Sequence, residues 1–244
     1  MEADLRVSEL EGVLGELVDA AKQCFAGDLV LVALFGSAAE DRLRPASDVN
    51  VLFVLECFDA GKVDAFRPAL RSAHSALRVQ AMFLLRTELP VAGELFAVKF
   101  NDILTRHRIL HGPDLLNELV IDEVELTRRL REVLLNLAIR LRERYVLVSL
   151  REEQLVTVIS DAAAPLRASA IALLKLRHIE APSVREALET VVAGTGNTAF
   201  ISAVANLPLA RQEQRLPPGV AGPTLLALSQ LATHLREQLE GGAQ

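Results

Sequence analysis

Residues 31–55, LVALFGSAAEDRLRPASDVNVLFVL, constrain the fold of this 244-residue chain more than any other stretch. Two apolar runs rich in Val, Leu and Phe are bounded by Gly, Pro, Ser and Asp, which predicts buried strands over 29–35 and 49–55 joined by a short crossover. In the intervening loop, Gly36-Ser37 is followed after a ten-residue spacer by Asp48-Val49-Asn50. Side chains two apart on a strand leave the same face, so residues 48 and 50 point together.

That spacing has a chemical meaning. Two carboxylates on one strand face can hold a pair of divalent ions, which stabilise the attacking and leaving oxygens of phosphoryl transfer. Gly36 lets backbone approach a phosphate closely, and Ser37 adds a hydroxyl. At position 50, however, the chain offers one neutral carbonyl oxygen in place of a charged acid, and hard cations favour charged oxygen ligands.

The arrangement resembles the signature of the DNA polymerase beta-like nucleotidyltransferase superfamily, in which an apolar strand, Gly-Ser and a spacer lead to Asp-x-Asp or Asp-x-Glu on the next strand. Gly36, Ser37, Ser47 and Asp48 match it, and Asn50 stands where the second carboxylate belongs. The resemblance implies that Asp48 and Asn50 occupy the catalytic positions, with Asp48 the ligand for magnesium in an active site. It implies that Gly36, Ser37, Ser47 and Arg42 face a nucleotide triphosphate. Glu40 and Asp41 stand where many members carry a basic residue and a glycine; carboxylates there would repel a triphosphate unless Arg42 and Arg44 compensate.

Helical spacing of apolar residues predicts a helix over 4–25, and Asp59 is a suitable cap for a helix reaching about residue 77, interrupted or kinked at Pro68. Residues 78–85 read as a third strand. Residues 94–111 resemble the fourth strand and its continuation in kanamycin nucleotidyltransferase-like bacterial proteins, with His107-Arg108-Ile109-Leu110-His111-Gly112 matching the tail. The glutamate of that pattern aligns with Lys99, leaving Asp102 or Glu94 as candidates for a third carboxylate on the opposite strand face. Lys99 is either a surface lysine or a cation beside Asp48, taking the charge role of a magnesium ion. Beyond residue 113 the pattern is helical throughout, starting with a long helix capped by Asp122.

The expected fold class is therefore α+β: an N-terminal mixed-sheet nucleotidyltransferase domain over 1–118 and an all-α helical bundle over 119–240. The same resemblance implies a homodimer. A net charge of −6 argues against an extended nucleic-acid surface. Cys24 and Cys57 are too few for a disulfide framework and read as reduced, buried thiols, which fits a cytoplasmic location. The acidic N-terminus is unlike a secretory signal, and no apolar stretch reads as a membrane span. Two function classes follow. One is a superfamily relative with a degenerate Asp-x-Asn site that binds a nucleotide or keeps only the fold; the other is a magnesium-dependent enzyme moving a nucleoside monophosphate onto a small molecule or protein.

Overall fold

The computed structural model describes residues 2–40, 48–180 and 183–241, so Asp41, Arg42, Arg44 and Ser47 lie outside the described residues. The chain forms two compact units, Met1–Leu95 with Asp102–Val120 and Phe96–Asn101 with Ile121–Gln244.

The first unit opens with α1 (Glu2–Phe25), β1 (Leu29–Phe35) and a 3-10 turn (Gly36–Glu40). It continues with β2 (Val49–Leu55), α2 (Ala60–Leu77), β3 (Val79–Leu85) and α3 (Leu89–Leu95). After α4 (Ala97–Thr105), which begins in the second unit, β4 (His107–His111) completes a sheet of order β3-β2-β1-β4. β2 and β3 are parallel, while β1 runs antiparallel to both β2 and β4. The two strands of the motif are thus antiparallel neighbours, where a crossover would have made them parallel.

One face of this sheet packs on α1 and α2. Val49, Val51, Phe53 and Leu55 alternate into that core with Val32 and Leu34, joining Leu10, Leu14 and Leu17 of α1 and Phe66 of α2. Aromatic rings lock the centre: Phe53 stacks on Phe83 at 5.0 Å and meets Phe66 edge-on at 5.4 Å. The Asp59 carboxylate accepts from the Lys62 amide at 2.9 Å to start α2, which runs through Pro68. Lys62 then reaches across to the Asp28 carboxylate and to the Phe25 carbonyl, tying the end of α1 to α2. This contact holds Asp28 below the usual carboxylate range, while Asp28 pushes the neighbouring Cys57 thiol upward. Cys57 is exposed and Cys24 only half-buried, against the expectation of two buried thiols, because Cys57 falls in the loop after β2.

Residues 94–105 depart from the expected strand. They form the end of α3 and all of α4, in which Ala97, Val98, Phe100 and Ile103 are buried at helical spacing. The strand of this segment is the His107–His111 stretch alone.

The second unit contains α5 (Glu123–Val148), α6 (Glu152–Leu176), α7 (Val184–Ala193), α8 (Thr198–Gln212) and α9 (Ala221–Gly241). α5 packs against α6 and α9, and α6 against α5, α7, α8 and α9. α6 is long and apolar enough, by length and composition, to cross a membrane, with an 18-residue window of mean hydropathy 1.3. The sequence reading missed this because Asp161 and Arg167 break the run. Half of the window is buried inside the protein, as suits the central helix of a bundle.

At the start of α5, one Asp122 carboxylate oxygen accepts from the amides of Val124 and Glu125, both at 3.0 Å. Asp122→Ala is expected to destabilise the helical unit by about 1 kcal/mol. Urea denaturation followed by circular dichroism checks this, and an unchanged midpoint would show that solvent caps the helix equally well.

Candidate functional site

Because β1 and β2 are antiparallel, the end of β1 lies beside the start of β2, so Gly36-Ser37 and Asp48 come to the same end of the sheet. The register sets a row across all four strands: His107 on β4 pairs with Phe35, Phe35 with Asn50, and Asn50 with Gln80 on β3. Val49 and Val51 belong to the core under α1 and α2, so Asn50 faces the other way. In a parallel pair in register, partner side chains leave the same face, so Gln80 stands with Asn50.

Gly36 has φ +81°, and a Cβ built there would lie 3.6 Å from the Asn50 side-chain nitrogen. The amide of residue 50 therefore lies against the turn that follows β1. The Gly36 N–H donates to the Arg106 carbonyl at 3.1 Å, which ties this turn to the start of β4. Ser37 is half-buried in the turn.

The surviving acid has a cationic partner. Arg78 Nε donates to Asp48 Oδ1 at 3.0 Å. Arg78 closes α2 in the left-handed region, φ 54° and ψ 39°, and its N–H caps the His74 carbonyl at 2.8 Å. An arginine in that conformation costs about 1–2 kcal/mol relative to glycine. The turn delivers the chain directly into β3, two residues before Gln80.

Glu40, the other acid near the loop, lies 3.6 Å from Arg106, whose guanidinium also grips both oxygens of Asp102 at 2.9 and 2.8 Å. Arg106 thus meets two carboxylates with one guanidinium, so these three residues together keep one negative charge. Asp102 and Glu94 do not serve as strand-borne acids, since Asp102 is a helical residue held by Arg106 and Glu94 is exposed on α3. Lys99 sits on α4 in the second unit, not on a strand, and partial desolvation pulls its ammonium below the usual lysine range although the residue is exposed. Within the first unit, Arg78 is the cation that pairs with Asp48 among the described residues. His107 closes the other end of the row with its ring between the Ile103 carbonyl at 3.1 Å and the Asp114 carboxylate at 3.3 Å.

These residues do not suit a magnesium ion. One carboxylate is neutralised by a guanidinium and the two neighbours on its face are amides, so Asp48, Arg78, Asn50 and Gln80 together carry no net negative charge. Among the described residues no three His, Cys, Asp or Glu side chains cluster so as to hold a metal. Gln80 and Arg78 are the positions of this candidate site that sequence reasoning missed. The signal for Gln80 was its place second on the strand after the crossover helix, which only the β2–β3 register makes meaningful.

No family model matches the chain, and no curated protein sequence matches it. Among solved structures, that of spectinomycin adenyltransferase from Enterococcus faecialis, determined with ATP and spectinomycin, is similar. The likeness covers 94% of this chain and 98% of that one, with a TM-score of 0.64 at 13% identity. A mixed four-stranded sheet followed by a helical region, aligned along nearly its whole length with an adenyltransferase, gives this chain the α+β nucleotidyltransferase fold.

Proposed function

We propose that this protein binds a nucleotide through its nucleotidyltransferase fold without transferring a nucleotidyl group. The observation that carries the reading is the Arg78–Asp48 ion pair at 3.0 Å, flanked by Asn50, where the resemblance places a second carboxylate, and by the neutral Gln80 beside it. Phosphoryl transfer depends on cations that neutralise the charge of the reacting phosphate, and a neutral cluster does not gather them. The same neutrality removes the repulsion that an acid pair without metal would exert on a phosphate. Gly36 lacks a side chain that would bar close backbone approach, and ATP bound to the adenyltransferase of the same fold supports a nucleotide as the ligand. In this reading the protein needs no magnesium, works in the cytoplasm and assembles as a homodimer.

Calorimetric titration of the full chain with ATP and with GTP, once in EDTA and once in excess magnesium, tests the reading. The expected result is saturable binding to at least one nucleotide, with affinities in the two buffers agreeing within about threefold, a difference below 1 kcal/mol. No pyrophosphate is released on prolonged incubation. Binding seen only with magnesium, or steady pyrophosphate release, would instead identify an active nucleotidyltransferase. Absence of binding in both buffers would leave the fold as an interaction module.

A further inference from the structure

The helical unit carries a groove of about 580 Å³ between α5 and α6, a volume within the usual range for small-molecule sites. Leu137 and Leu141 of α5 and Val158 and Pro165 of α6 make its lining mainly apolar. Arg140 and Arg144, one helical turn apart, also line it from α5, and Asp161 lines it from α6.

What distinguishes these two arginines is their lack of partners. Elsewhere on α5, Arg128 and Arg129 pair with Glu125, Arg131 pairs with Glu240, and Arg142 donates to the Ala138 carbonyl. Among the described residues, Arg140 and Arg144 meet neither an acid nor another acceptor. On a chain of net charge −6, two unmatched guanidiniums over an apolar floor form a local site of opposite sign. Arginines at i and i+4 share a helix side, so both can reach one anionic group. Asp161 faces them as the single negative charge in the lining, leaving the groove with a net positive charge and an acceptor for a ligand N–H or O–H.

We infer that the α5–α6 groove binds a small amphiphilic anion, an apolar body carrying one carboxylate or sulfonate, with the acidic group held by Arg140 and Arg144. The site lies wholly within the helical unit and does not depend on nucleotide binding at the sheet.

The probe is anilinonaphthalene sulfonate, an aromatic anion whose fluorescence rises on transfer to an apolar site. The full chain is expected to bind one equivalent saturably, with decanoate displacing the dye and decylamine failing to do so. Arg140→Gln/Arg144→Gln is expected to weaken binding by about tenfold or more. Thr157→Trp, which fills the groove from an exposed lining position, is expected to abolish it. Thermal melts show whether each variant is folded, and the decanoate–decylamine comparison on the unmodified protein tests the anion preference without any substitution. Equal displacement by decylamine, or unchanged affinity in the folded arginine variant, would overturn the proposal. So would a concentration-dependent dimer in sedimentation that the arginine variant dissolves, because the occupant would then be a second copy of the chain.

Discussion

Gly112→Ala is expected to destabilise the sheet unit by about 3–5 kcal/mol, enough to threaten folding of a domain of ordinary stability. Gly112 follows β4 with φ +83°, and a Cβ built there would lie 2.0 Å from the Val30 carbonyl oxygen and 3.2 Å from the Leu31 Cα. The conformation alone costs an alanine about 1–2 kcal/mol. The contact adds more, because the obstructing atoms are backbone of β1, an inner strand paired on both sides by β2 and β4. Moving that backbone by the ångström or more required would break ladder hydrogen bonds. Gly36→Ala provides the internal control. Its φ is +81°, yet the nearest atom to its Cβ is a side-chain nitrogen at 3.6 Å, so only the conformational cost of about 1–2 kcal/mol applies. Urea unfolding of both variants reads the difference. Equal losses would show that Gly112 answers to backbone conformation and not to the close approach of β1.

Gly112 also shows which parts of the fold were legible. The segment His107-Arg108-Ile109-Leu110-His111-Gly112 stood out in the sequence, and the structure supplies a physical reason for its final glycine. β1 and β2 were readable to the residue, because each is an apolar run, broken in β2 only by Asn50, ended by a residue that disfavours a strand. The helix starts at Asp59 and Asp122 were readable through their capping side chains, which accept the hydrogen bonds from backbone N–H groups expected of them.

Two kinds of information were not local. Residues 94–105 were read as a strand through the resemblance, although their apolar spacing suits a helix, and this error placed Lys99 on a sheet and invited a period-two argument for Asp102. The residues on which the proposed reading rests lie 30 apart in sequence: Arg78 meets Asp48, and Gln80 pairs in register with Asn50. Nothing in either segment alone announces the pairing. Only the parallel register of β2 and β3, set after the crossover through α2, brings them together.

That pairing predicts how metal binding could be restored. The variant Arg78→Gly/Asn50→Asp/Gln80→Glu is expected to bind manganese at least about a hundredfold more tightly than the native chain, a change of about 2.7 kcal/mol. Two amides become carboxylates on the face that Asp48 shares, and the guanidinium that neutralises Asp48 is removed, so the cluster passes from neutral to three negative charges. At 4 Å and an effective dielectric near 20, two unit charges interact by about 4 kcal/mol, so the expected gain remains modest after the acids pay for their mutual repulsion. Glycine at 78 also suits the left-handed cap, where φ is 54°, so the helix end should gain rather than lose stability. Asn50→Asp alone is the decisive comparison. With Arg78 still against Asp48, this single variant is expected to gain less than about tenfold, because the added acid joins a neutral pair and not a free carboxylate. Manganese titration followed by electron paramagnetic resonance measures the free ion directly in both variants. If Asn50→Asp matches the triple variant, Arg78 does not govern the site; if neither binds manganese, the three positions do not converge on one ion and the row from Asn50 to Gln80 is only structural.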